Sequence, residues 1–292
     1  MNRRRFITAS GIVGTASLAG YSMLVEPDLI EFTYHAINGS SDYAFRFAQI
    51  SDLHLKTISR QHERIGIQLS KENLDLIIIT GDSIDSNGQL QILDHFMSML
   101  KSSIPKYAIL GNWEHWGGVS VPKLADVYSR WNCDLLVNRS AQLNLGDRSI
   151  LVTGLDDFIG GVPSPTFALK DVEPQEDHFL LAHCPQYLDK LLYFRSAEPL
   201  PLESHKEVDL KQYSFSNIFS GHTHGGQINL LGMTPFVPQG SGRYIKGWFN
   251  NNGHQLFVSR GVGTSILPVR IGSVPEIAIF EYFFKGKRQT HP

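Results

Sequence analysis

A chain of 292 residues with 42% hydrophobic and 18% charged residues has an ordinary globular composition, long enough for one large domain or two small ones. Its formal net charge of −2 gives no reason to expect a polyanionic partner, so nucleic acid is not favoured. Two cysteines, Cys133 and Cys184, exclude a disulfide-built scaffold and a cysteine-rich zinc site.

Residues 1–25 read as a targeting or anchoring segment. Arg3, Arg4 and Arg5 form a basic start, and residues 6–25 carry no charge. The run R-R-x-F-I over residues 3–7 resembles the twin-arginine export signal, which implies the Tat export machinery as a partner and a periplasmic or cell-surface location rather than a cytoplasmic one. A membrane anchor is the competing reading, because about 20 uncharged residues just span a bilayer. Thr8, Ser10, Thr15, Ser17 and Ser22 argue against a strongly inserting helix.

From residue 43 a strand–helix rhythm begins. Residues 44–50 (AFRFAQI) alternate like a strand and lead into Asp52 and His54. Residues 61–73 read as a short helix, and 74–80 (LDLIIIT) as a buried strand running into Asp82 and Asp85. Apolar spacing of three and four over residues 90–101 predicts an amphipathic helix. A third strand over 105–110 ends at Asn112, and 121–131 read as helix. Short strands follow over 135–137, 142–145 and 149–153, with Gly146-Asp147 as a hairpin turn. Residues 179–182 form a strand ending at His183, and 186–194 a helix. Residues 195–211, with two prolines and seven charged residues, read as a surface loop. The run 213–219 (YSFSNIF) leads into S-G-H-T-H-G-G-Q, where a glycine turn projects His222 and His224. Residues 228–247 read as loop and hairpin, 256–259 and 276–284 as late strands, and 285–292 as a basic tail.

Five strand-like runs therefore end in residues able to bind metal: Asp52 with His54, Asp82, Asn112, His183, and His222 with His224. In open α/β sheets, ligands sit beyond the carboxyl ends of strands. Seven donors exceed the needs of one ion, whereas two divalent ions sharing a carboxylate would use them all.

D-x-H, G-D-x-x-D, G-N, A-H and G-H-x-H in this order resemble the calcineurin-like metallophosphoesterase superfamily. The surrounding S-D-L-H, T-G-D, L-A-H-x-P and S-R-G-V-G look like its YaeI- and YkuE-type branch. The resemblance covers about residues 43–282 and implies an α/β/β/α sandwich of two mixed sheets, with a domain over 43–284. It assigns one metal to Asp52, His54, Asp82 and His224, and a second to the bridging Asp82 with Asn112, His183 and His222. The implied activity is hydrolysis of a phosphomonoester, phosphodiester or lipid-linked pyrophosphate by metal-activated hydroxide, with the donor set suiting Mn, Fe or Zn. A lipid-linked substrate would bring peripheral membrane contact.

The chain departs from the family at Trp113, where G-N-H-[DE] is usual. An indole donates a hydrogen bond but transfers no proton at neutral pH. His115 is the nearby substitute, and Asp85 stands where the family's orienting carboxylate would hold it. A module that binds metal and phosphoryl groups without catalysis is the alternative that Trp113 keeps open. Arg260 and Arg243 are candidates to hold the phosphate. Trp113, Trp116, Phe236, Trp248 and Phe249 could give the site an apolar rim. Asp156 and Asp157 also follow a strand, outside the metal set, and could equally be turn residues.

Overall fold

The computed structural model describes residues 26, 29–39, 44–196, 212–229, 233–251 and 253–285. The twin-arginine-like segment over 1–25, the charged loop from residue 197 to 211 and the basic tail beyond Lys285 lie outside the described residues.

Twelve described strands form two six-stranded mixed sheets. In the first, β1 (Glu31–Ile37), β12 (Glu276–Phe283), β2 (Ala44–Ile50), β3 (Leu76–Thr80), β4 (Lys106–Ile109) and β5 (Cys133–Leu135) lie side by side in that order. In the second the order is β10 (Gly247–Asn251), β11 (His254–Val258), β9 (Asn217–Ser220), β8 (His178–Leu181), β7 (Arg148–Gly154) and β6 (Arg139–Leu145). The strands β2 to β5 are mutually parallel, as are β7, β8, β9 and β11, so the carboxyl ends within each set open on one edge.

The strands' period of two divides the apolar residues among three cores. Leu76 and Ile78 of β3, with Phe47 of β2 and Phe280 of β12, face the second sheet, where Phe179, Phe219 and Phe257 meet them. Their neighbours Ile77 and Ile79 face the other way, onto the helices α1 (Arg60–Lys71), α2 (Leu90–Ser98) and α4 (Val121–Ser129), which supply Ile65, Leu93, Phe96, Leu124 and Tyr128. On the far side of the second sheet, Leu180, Ile218 and Leu256 pack against Leu188 and Leu191 of α6 (Tyr187–Ser196). The result is the four-layer α/β/β/α sandwich that the motif order implies. Aromatic rings fill the interlayer, with Phe47 stacked on Phe280 at 4.7 Å and Phe179 edge-on to Phe219 at 5.1 Å.

Most predicted elements appear within a few residues of their expected bounds, and two edge strands are additional. The strand β1 pairs only with β12, and β10 only with β11, so each has a neighbour on one side and a mostly polar, half-exposed face. Neither shows the dense apolar run that marks a central strand. Two very short α-helices complete the described α-helices, α3 (Asn112–Trp116) directly after β4 and α5 (Pro165–Ala168) after β7, and single 3-10 turns lie over Asn87–Gln89 and His224–Gly226. Cys133 and Cys184 are both free and buried.

Candidate metal centre

The loops that leave the parallel strands are tied to one another before any side chain is considered. Asp52 donates its amide to Gly81 O, His54 donates its amide to Asp82 O, and Gly221 N–H reaches His183 O. Gln49 crosses between the sheets to Ser220 O. Five residues of the set hold left-handed backbones: Asp52, His54, Asp82, His222 and His224 have φ between 44° and 74°. Such conformations in residues other than glycine are costly and persist where the surroundings dictate them, commonly at functional sites. Gly221 is required for a different reason. A Cβ there would run into Ser51 Oγ and the Asp52 carboxylate.

All seven predicted donors are buried, and the functional atoms of six converge in two touching groups, Asp52, His54 and His224 in one and Asp82, His183 and His222 in the other, with Asn112 beside the second. His54 Nε2 lies 3.2 Å from His224 Nε2 and 3.7 Å from Asp82 Oδ2. Asp82 Oδ2 is also 3.1 Å from His183 Nε2, so one carboxylate oxygen faces both groups. Asn112 Oδ1 stands 2.9 Å from His222 Nδ1 and 3.2 Å from His183 Nε2.

For three of the four imidazoles the outer nitrogen settles the tautomer, because it faces a group that can only accept. His54 Nδ1 meets Asp85 Oδ1 at 2.6 Å and His183 Nδ1 meets Thr80 O at 2.7 Å. His222 Nε2 meets Gln239 O at 2.7 Å. His224 Nδ1 lies between an acceptor and a donor, 3.3 Å from Gly263 O and 3.3 Å from Arg270 Nη2. With protons on the outer nitrogens of His54, His183 and His222, their inner nitrogens present lone pairs to the interior, toward Asp82 and Asn112 Oδ1. Three imidazole lone pairs, the Asp82 carboxylate and Asn112 Oδ1 facing inward favour positive charge at the centre, which is the condition divalent cations satisfy. The electrostatics agree. Burial opposes charge on His183 and His54, yet Asp82 raises His183 well above the ordinary imidazole value, and Asp85 with Asp82 raises His54. Burial lowers His222 and His224, helped by His183 and His54 respectively. Burial would raise Asp82, but His183 and His54 hold its carboxyl below the usual range.

Several supporting residues were not singled out in the sequence. Glu114 is buried, and its carboxylate accepts the amides of Asp82, Ser83, Ile84 and Gly111 at 2.6–3.2 Å, fixing the loop that presents Asp82. Burial and the neighbouring Asp82 push its carboxyl up to about 7, against the pull of those amides. The G-N-x-E spacing carried its only sequence signal. Arg270 is wholly buried and donates to the carbonyls of Arg260, Gly261, Gly263 and Ser273, which shapes the loop that accepts from His224. Its local sequence gives no hint of this.

Other expectations need correction. Asp85 does not orient His115; its carboxylate is taken by His54, because the loop after β3 folds over the loop after β2. His115 Nε2 instead meets Asp156 Oδ1 at 2.7 Å, and that hydrogen bond raises the imidazole above its ordinary value. Residues 112–116 form a helical turn, so Trp113 and His115 point to different sides. Trp113 stands edge-on to His54 at 5.7 Å, and its amide donates to Asp82 Oδ1 at 2.9 Å. Arg260 is not free to hold phosphate, being paired with Glu31 at 2.8 Å and Glu276 at 3.1 Å. Arg243 is exposed and lies over Tyr244. Of the proposed apolar rim, Trp248 packs on Phe257 and Phe249 on Tyr244, which is local packing. Asp157 is a buried turn residue, accepting the amides of Ile159 and Gly160 and the thiol of Cys184.

The model of the calcineurin-like phosphoesterase family matches residues 45–226. The uncharacterized metallophosphoesterase YkuE of Bacillus subtilis (strain 168) is 28% identical over 297 residues, covering 96% of this chain and 97% of its own. YkoQ of the same organism, another uncharacterized metallophosphoesterase, is 24% identical over 239 residues, covering 80% and 81%. Among solved structures, a 5'-nucleotidase precursor from Thermus thermophilus aligns with a TM-score of 0.44 at 14% identity, over 82% of this chain and 54% of that one.

Proposed function

We propose that this chain, which belongs to the calcineurin-like phosphoesterase family, is a metal-dependent phosphoester hydrolase that works with two divalent ions. Asp52, His54, Asp82 and His224 would hold one, and Asp82, Asn112, His183 and His222 the other. The observation that carries this reading is the inward-facing set of acceptors with every outer imidazole nitrogen already engaged. Oxygen and imidazole donors without thiolate suit Mn, Fe or Zn. When bound, such ions supply Lewis acidity for water and for the phosphoryl oxygens.

The chain's own residues set the geometry. The amide of Trp113 occupies Asp82 Oδ1 and leaves Oδ2 to be shared between the two groups. Glu114 fixes the amides around Asp82, and Asp85 fixes the tautomer of His54. Hydrolysis adds the oxygen of water to phosphorus and breaks the ester P–O bond, so the departing oxygen needs a proton. His115, held toward its protonated form by Asp156 and one helical turn from Asn112, is this chain's candidate donor.

The reading is tested by loading the full chain with Mn or Zn, counting bound ions, and assaying phosphomonoesters, diesters and lipid-linked phosphates. Two ions per chain are expected, with turnover of at least one class and loss of both ions and turnover in Asp82→Asn. Trp113 beside His54, where the family usually has histidine, favours one rival, a binding module. Two bound ions with no turnover of any ester would establish that rival.

A further inference from the structure

Two loops beside the metal centre combine lack of charge with exposed apolar side chains. Residues 225–242 contain no Asp, Glu, Lys or Arg, and neither do residues 261–269, in a chain that is 18% charged. On the first loop Met233, Phe236 and Val237 are exposed, and on the second Ile266 and Leu267, with Phe236 at 72% and Ile266 at 81%. The loops form one surface. Gln227 donates to Leu267 O at 2.7 Å, Ser265 reaches Gln227 Oε1 at 3.2 Å, and Asn229 N–H meets Ile271 O at 2.7 Å. Both are anchored on the site itself, the first through Gln239 O to His222 and the second through Gly263 O to His224.

The described chain begins at this same corner, at Glu26. The uncharged residues 6–25, preceded by three arginines, end just before Glu26. The carboxylate of Glu26 accepts the amide of Ser273 at 2.8 Å, and Ser273 Oγ donates to His224 O. No helix among the described residues is long and apolar enough to cross a membrane. We propose that the loops around residues 233–237 and 266–267 seat the mouth of the metal centre on a phospholipid bilayer. A single weak apolar element gives only reversible attachment, and a second one beside it makes attachment stable. The lack of charge over both loops fits the interior of the headgroup region better than a protein partner, whose contact would draw on the polar rim usual around an interface. Docked this way, the membrane surface would lie beside the loops whose carbonyls reach His222 and His224.

The test uses the full chain with single cysteines introduced by Ile266→Cys, Phe236→Cys and, on α1, the exposed control Ile67→Cys. Cys133 and Cys184 are buried and do not compete for label. Each variant carries an environment-sensitive fluorophore and is mixed with vesicles of phosphatidylcholine and phosphatidylglycerol, with and without acyl-chain nitroxide quencher. Labels at 266 and 236 should shift to the blue on vesicle addition and be quenched several-fold more than the label at 67. Vesicle-bound protein with no shift at 266 or 236 would overturn the proposal, since residues 1–25 alone would then hold the membrane. So would emission already blue-shifted before vesicles are added, because another part of the chain or a second copy would then cover the loops.

Discussion

Replacing Asp85 by asparagine should weaken one metal site and leave the other intact. Asp85 Oδ1 accepts from His54 Nδ1 at 2.6 Å, a charge-assisted bond that fixes the tautomer and raises the basicity of Nε2. A carboxamide of the same shape can still accept that proton but carries no charge. Loss of such an outer partner costs about 10–100-fold in metal affinity, or about 1.4–2.7 kcal/mol. His183 and His222 are oriented by the backbone carbonyls of Thr80 and Gln239, which the substitution does not reach. Isothermal titration of metal-stripped protein with Mn or Zn should therefore resolve two events in the parent, only one of them shifted in Asp85→Asn. Asp156→Asn is the control and should leave both events unchanged, because its partner is His115. Equal weakening of both events in Asp85→Asn, or of neither, would refute the division of the site into two separately oriented groups.

Two further outcomes are expected. His115→Ala should slow alkyl phosphate esters by about 10²–10⁴-fold while hardly touching aryl esters, whose leaving groups need no proton, with metal content unchanged; an equal effect on both classes would reject the donor role. His178 is buried with Nε2 on Thr153 Oγ1 at 2.7 Å, and burial pushes its imidazole down to about 3. The unfolded chain takes this proton near pH 6.5 and the folded chain only near 3, so stability is full above about pH 7 and falls as the pH drops between those values. By pH 4.5 the loss is about 3 kcal/mol, and denaturant titrations should show a flatter acid limb in His178→Gln than in the parent.

What could be read from the chain were features whose cause is local. Each candidate ligand follows its own strand by two to four residues, so the strand's apolar run announces where the ligand will emerge. Burial on both faces makes β3 an unbroken apolar run, LIIIT, which is visible without any partner. What could not be read were pairings set by the meeting of distant loops. Nothing near Asp85 in sequence says that its partner lies 31 residues back at His54, and the His115–Asp156 pair spans 41 residues. Arg260 looked available because Glu31 and Glu276 approach it only when β1 adds to β12, and β1 itself was concealed by its polar edge character. Glu114 and Arg270 were hidden for the same reason, since their partners are backbone amides and carbonyls that leave no trace in residue identity.

The donors do not come from one half of the sandwich. Asp52, His54, Asp82 and Asn112 emerge from the first sheet, whereas His183, His222 and His224 emerge from the second. Neither proposed ion site can be completed by one sheet, so each ion would act as a rivet through the seam between the two halves. Sliding or parting the sheets would break both coordination shells at once, which couples the seam's integrity to the supply of metal in the surroundings. At a free metal concentration one hundred times the dissociation constant, each site would add about 2.7 kcal/mol to the cost of unfolding. A compartment that starves the protein of metal would therefore switch off the chemistry and loosen the scaffold in the same event.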